Sequence, residues 1–166
     1  MPEKKVLIVY YSRTGVTEKV AKKLAELLSA DIEAITEERD RSGPIQYALC
    51  GREALKELEP PINTPSKNAG EYDLIILGTP VWASKISSPL RSYIAFQRDK
   101  MNAVAFFCTH QGSGGKGAFR SMEKAVNKAP AAVADFRRKR VLDDEFLPKL
   151  DSFINALKDH IDISNG

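Results

Sequence analysis

Cysteine, histidine and tryptophan are scarce in this chain, with two, two and one among 166 residues. Cys50 and Cys108 are far apart and form no CxxC pair, and His110 and His160 do not cluster with them, which excludes a zinc or iron–sulfur motif. Cys108 closes an apolar run and reads as core; Cys50 carries no assigned chemistry. Nowhere do about 18 apolar residues follow one another, the minimum for a membrane helix. Met1–Lys5 leads into the first strand pattern without an apolar leader, so the expectation is a cytoplasmic protein with no membrane role. Charge of one sign is also lacking, the net being +3. The one basic run, Arg137–Arg140, comes with no aromatic platform or recognition-helix pattern, and no nucleic-acid partner is expected. It reads instead as a solvated edge-strand stretch whose charges deter sheet-to-sheet pairing.

What is present is an alternation of apolar strands and amphipathic helices. Residues 5–10 form an apolar strand candidate; Leu74–Gly78 is apolar throughout, and Ala103–Cys108 is another run that suits a strand covered on both faces. Asp31–Thr36 and Ala131–Phe136 read as two further strands. Helical spacing marks residues 15–29, the stretch opened by Ser88-Pro89, the stretch around Ala118–Val126, and the last stretch from Leu147 to Ile161. Five strands separated by helices predict an α/β fold, a parallel sheet with helices on both faces, in a single domain spanning 1–166. Residues 37–71 read as an irregular insertion between strands two and three, broken by Gly43-Pro44, Gly51, Pro60-Pro61 and Pro65. Only Gln46–Leu58 looks helical within it. It either covers part of the ligand edge or is a surface excursion.

In such sheets ligands sit beyond the carboxyl ends of the strands, where strand order reverses. Three loops should meet there: Tyr11–Thr17, Thr79–Ser88 and Thr109–Lys116. The first offers the hydroxyls of Ser12, Thr14 and Thr17 with the backbone N–H groups of Arg13 to Thr17, Gly15 and Val16 included, at a helix start, a place suited to phosphate. Those hydroxyls would serve equally as helix caps. The second, Thr79-Pro80-Val81-Trp82-Ala83, sets the single tryptophan in a loop, where it suits a wall for a flat ring. The third, Thr109-His110-Gln111-Gly112-Ser113-Gly114, is rich in glycine, which permits close backbone approach. His110 there is either an exposed loop side chain or a ring contact.

The Ser12-x-Thr14-Gly15-x-Thr17 loop, the Gly78-Thr79-Pro80-x-Trp82 segment and the glycine-rich third loop resemble the flavodoxin family, and element order agrees from residue 5 to about 161. The resemblance implies a three-layer, flavodoxin-like sandwich with a five-stranded parallel sheet of order 2-1-3-4-5, and a non-covalently bound flavin mononucleotide (FMN). It places the phosphate on Ser12 to Thr17, the ribityl chain and ring against Thr79 to Ala83 with Trp82 on the isoalloxazine, and the pyrimidine edge along Thr109 to Gly114. There are two departures. The third loop has no second aromatic, and the pI is 8.8 where flavodoxins are typically acidic. Neither flavin loop carries Asp or Glu, while Lys85, His110 and Lys116 lie within or beside them, so a negatively charged reduced flavin should be penalised less.

A P-loop fails because Gly117 follows Lys116, a response regulator because Tyr10 and Tyr11 close the first strand, and a dinucleotide fold because G-x-G-x-x-G is missing. The leading expectation is electron transfer through FMN, with redox partner proteins and no catalytic side chain. One alternative is an FMN-dependent NAD(P)H:quinone-type oxidoreductase with a small-molecule acceptor. The other is a flavin-free flavodoxin-fold protein acting in interaction or sensing. Monomer and homodimer are both compatible with these readings, and no metal is implied.

Overall fold

In the computed structural model, which describes residues 3–161, five parallel strands build the central sheet. Strand β1 spans Val6–Tyr10, β2 Asp31–Ala34, β3 Leu74–Trp82, β5 Ala103–His110 and β6 Val133–Arg137. Their spatial order is β2-β1-β3-β5-β6, the expected 2-1-3-4-5 once the two-residue strand β4, Lys85–Ile86, is set aside. β4 was not anticipated; it pairs antiparallel with the end of β3. After β1 the chain goes outward to β2, then crosses to β3 on the other side, so the reversal point lies between β1 and β3.

The apolar strands divide their side chains between two cores. Leu7, Val9, Ile75, Leu77 and Phe106 face one layer, with Tyr93 and Met122 from the covering helices. Ile8, Leu74, Ile76, Ala105 and Phe107 face the other, with Val20, Leu24, Leu150 and Phe153. Burial on both faces is why these strands are apolar at every position instead of alternating. Helix α1 is Val16–Leu28, α3 Ser88–Gln97, α4 Gly115–Val126 and α6 Leu147–Ala156. Pro89 lies in the first turn of α3, where its missing N–H costs nothing.

Four sequence expectations require correction. The helix in the insertion, α2, covers Pro44–Leu55, not Gln46–Leu58. Gly43-Pro44 starts it instead of breaking it, and it ends before Glu57, which takes a positive φ of 55°. Strand β3 continues past Gly78 because Gly78, Thr79 and Pro80 keep pairing with β5, and Val81 and Trp82 then pair with β4. Strand β5 likewise runs through Thr109 and His110, paired with β6. The basic run is not an extended edge strand: Arg137 ends β6, and Arg138 to Arg140 open a short helix, α5, Arg138–Leu142.

Candidate functional site

A cavity of about 480 Å³ opens at the carboxyl ends of β1, β3 and β5, the reversal point of the sheet. From the first loop it is lined by Arg13, Thr14 and Val16, and from the end of β3 by Val81, Trp82 and Ala83. Thr109, His110, Gln111, Gly112 and Ser113 line it from β5 and the loop after it. Six other expected residues do not line it: Ser12, Gly15, Thr17, Thr79, Pro80 and Gly114.

The first loop is built as a cradle. Ser12 Oγ accepts from the N–H groups of Gly15 (3.0 Å) and Glu18 (3.2 Å), which turns the loop back onto the start of α1. Gly15 makes that turn at φ 92°, a left-handed conformation that glycine tolerates without a β-carbon clash. The helix's own first backbone bond is Lys19 N–H to Gly15 O, so the N–H groups of Val16 and Thr17 have no helical acceptor. Two donors at the positive end of a 13-residue helix, beside the Thr14 hydroxyl, form a site suited to an anion. The Thr17 hydroxyl is otherwise engaged. It is buried and lies 2.8 Å from Thr109 Oγ1, tying α1 to the end of β5.

The second segment is a hairpin and not an open loop. Ala83 and Ser84 have φ of 51° and 60°, the paired positive values that a two-residue primed turn requires. Non-glycine residues there are strained, and the strain sits directly on the cavity rim. Thr79 is fully buried; its Oγ1 accepts from Ser87 N (3.0 Å) and contacts Ser87 Oγ (3.0 Å), clasping the far end of the hairpin. Trp82 is the last residue of β3 and only 5% exposed. Tyr11 meets its ring edge-on at 5.6 Å, and the Arg41 guanidinium lies over it at 5.4 Å. The tryptophan therefore does packing work within an element, and little of its surface is left for the cavity it lines.

Arg41 belongs to an unforeseen buried cluster. Its side chain is 2% exposed and pairs with Glu37, itself 5% exposed, and with Glu53 at 2.9 Å. Burial outweighs the Arg41 contact at Glu37, whose carboxyl is held above the usual range. At Glu53 burial is overcome by bonds from Ser88, Arg39 and Arg41, and that carboxyl lies below it. Arg13 turns toward the same segment, donating from Nε to Arg41 O (2.9 Å) and from Nη2 to Gly43 O (3.1 Å).

At the other end His110 is not an exposed loop side chain. It closes β5, is 10% exposed, and its Nε2 lies 2.7 Å from Asp135 Oδ2. Lys149 reaches the other oxygen of Asp135 at 3.0 Å. Burial opposes ionisation of Asp135, but the His110 and Lys149 bonds prevail and hold the carboxyl below its usual range. His110 Nδ1 is buried with no hydrogen-bond partner among the described residues.

Three lining residues escaped the sequence reading: Tyr47 from α2, Ser84 and Arg138. Tyr47 and Arg138 lie far in sequence from the three loops, and only the folding of α2 and α5 against the sheet edge brings them in. Two of the cations expected there are not in the wall. Lys85 is paired with Glu57 at 2.9 Å, and Lys116 is exposed on α4. Arg13 and Arg138 take their place, and no carboxylate lines the cavity among the described residues.

Comparison with known proteins identifies a family and a fold. Residues 5–138 match the family model of NADPH-dependent FMN reductase. Among solved structures, a flavoprotein from Lactobacillus acidophilus in complex with FMN is 22% identical with a TM-score of 0.70, covering 85% of this chain and 97% of that one. A flavoprotein from Bacteroides uniformis is 19% identical with a TM-score of 0.72, covering 86% and 97%. The two-electron reduced flavodoxin of Megasphaera elsdenii is 18% identical with a TM-score of 0.57, covering 91% and 96%. At these identities the likeness concerns the fold. No curated protein matches the sequence.

Proposed function

The chain belongs to the NADPH-dependent FMN reductase family, and on that premise we propose that it is an FMN-dependent oxidoreductase passing electrons from NADPH to a small-molecule acceptor. FMN is the cofactor, and the residues fit it. Unpaired N–H groups at Val16 and Thr17 with the Thr14 hydroxyl suit a dianionic phosphate. Nδ1 of His110, a lining residue, is buried without a partner among the described residues and suits a ring N–H. When bound, FMN supplies the hydride and electron chemistry. The protein's part is then to hold the phosphate with the first loop, to fix the ring end with the β5 edge, and to set the surrounding charge.

One observation favours a reductase over the electron carrier expected from sequence: the open cavity is walled by Arg13 and Arg138 with no carboxylate among its described lining residues. Such a wall attracts an anionic nucleotide and an electron-rich or anionic acceptor. It also lessens the penalty on a negatively charged reduced ring. The test is steady-state NADPH oxidation with a quinone acceptor, comparing FMN-loaded protein with the same concentration of free FMN. Saturable turnover above the free-flavin control is expected. Turnover at the control level, with FMN bound, returns the chain to the carrier reading.

A further inference from the structure

The family resemblance leaves one face of a bound ring uncovered, because the third loop holds no aromatic. From the geometry we infer that Tyr47, on the helix inserted between β2 and β3, is the aromatic wall against which the flat ring of the cofactor lies. The inference rests on the FMN reading above and deepens it.

Available aromatic surface decides between the two candidates that line the cavity. Trp82 is 5% exposed, with Arg41 over its ring and Tyr11 against its edge, so a ligand ring has almost no indole face to meet. Tyr47 is 55% exposed and lines the same cavity. One face of its ring carries the Arg13 guanidinium at 5.3 Å from the centroid. The other face has no ring or cation partner among the described residues. Arg13 holds its place through its bonds to Arg41 O and Gly43 O, so a cation–π contact fixes the phenol on one side and leaves the other face for a ligand.

The helix that carries Tyr47 is anchored, which makes the ring a platform instead of a mobile surface group. Glu53, two turns further along α2, accepts from Ser88 Oγ at 2.7 Å and from Arg41 Nη1 at 2.9 Å. Cys50 and Ala54 on the same helix are buried. A large exposed aromatic on an otherwise pinned helix, facing a cavity whose tryptophan is already covered, is the surface that a planar heterocycle would remove from water.

The test titrates FMN and riboflavin into apoprotein of the wild type, Tyr47→Ala and Tyr47→Phe, following dissociation constants and the emission of bound flavin. Tyr47→Ala should weaken both ligands by the same factor, about tenfold, because the ring is common to both. Bound flavin should become brighter in that variant, since a stacked aromatic quenches flavin emission. Tyr47→Phe should stay within about twofold of wild type on both counts, since the π-face is kept. Constants and emission unchanged in Tyr47→Ala overturn the inference. Loss of FMN affinity alone, with riboflavin unaffected, also overturns it, because the role would then run through Arg13 to the phosphate. A wild type that takes up no FMN overturns the cofactor reading itself. Tyr47 is exposed, and a melting curve superimposable on wild type separates each result from misfolding.

Discussion

Replacing Gly117 by alanine and replacing Gly51 by alanine should have opposite signs, although helix propensity gives the two changes the same value. Both glycines lie inside helices, Gly51 in α2 and Gly117 in the first turn of α4. By propensity alone each substitution should stabilise by about 0.5–1 kcal/mol. At Gly51 a β-carbon would meet nothing within 4 Å, so the full gain is expected. For a chain of this size that corresponds to a melting point higher by roughly 1–4 °C. At Gly117 the β-carbon would fall 2.4 Å from the carbonyl oxygen of Ser84 and 3.1 Å from Ser84 Cβ. A backbone oxygen cannot rotate away as a side chain would. The hairpin tip must withdraw by about an ångström, and its two residues are already held at positive φ. Overpacking of this kind costs about 1–3 kcal/mol, which more than offsets the propensity gain. The net loss should be up to about 2 kcal/mol.

The same displacement moves Ala83 and Ser84, which line the cavity, so FMN affinity should fall in Gly117→Ala and hold in Gly51→Ala. Urea unfolding with a parallel FMN titration measures both consequences on the same samples. A Gly117→Ala protein stabilised as much as Gly51→Ala would refute the close approach of α4 to the hairpin. One destabilised but binding FMN normally would show that the hairpin tip does not shape the site.

Further outcomes follow from the site. Thr14→Val should weaken FMN by about tenfold and riboflavin little, as loss of a hydrogen bond to a charged group predicts; equal loss for both would place the phosphate elsewhere. Thr17→Val should lower stability by about 1 kcal/mol through its bond to Thr109, read as an earlier urea midpoint. Asp135→Asn should cost at most about 1 kcal/mol, because the carboxylate is partly exposed. Its folded-state value lies below the ordinary one, so this stability is present above the unfolded value and lost as pH falls through the folded one. The wild-type advantage should therefore be full at neutral pH and vanish in acid; an advantage that persisted in acid would mean that the charge is not its source. Arg138→Glu should lower the two-electron midpoint potential of bound FMN by about 30 mV or more, equivalent to about 1.4 kcal/mol. An unchanged potential in a spectroelectrochemical titration would remove Arg138 from the electrostatics of the ring.

Much of the fold was legible because doubly buried parallel strands leave an unmistakable apolar run, as in Leu74–Leu77 and Val104–Phe107. The cradle was legible too, since Ser12, Gly15 and the start of α1 are local in sequence and their bonds span no more than six residues. What stayed hidden depends on pairing across the chain. Nothing local distinguishes Thr79–Trp82 as strand from loop; the ladder with β5 and the two-residue pairing with β4 decide it. The loss of Trp82 to the core follows from Arg41, which is 41 residues away and only becomes a neighbour when the insertion folds back. His110 looked exposed because Asp135, its partner, arrives from another strand.

The insertion is where the sequence said least and where the chain departs most from a plain doubly wound sheet. Its polar and proline-rich composition suits a surface excursion, yet it buries Arg41 and Glu37 almost completely. A buried arginine–carboxylate cluster is costly to assemble, and breaking it by removing one partner typically costs about 3–5 kcal/mol. An excursion with no role beyond linking β2 to β3 would have no need of one. What the cluster does is positional. Arg41 covers Trp82, the Arg41 and Gly43 carbonyls hold Arg13 against the insertion and over Tyr47, and Glu53 ties α2 to the first turn of α3 at Ser88. Arg41→Met should accordingly lower the melting point by roughly 6–20 °C. It should also loosen ligand binding, because Arg13 and Tyr47 lose their common support. Replacing Arg41, Glu37 and Glu53 together by apolar residues of similar size should restore most of the stability, since no charge is then left buried alone. If that triple variant regains its melting point but not its affinity for FMN, the cluster serves the site; if both return together, apolar packing positions Arg13 and Tyr47 equally well.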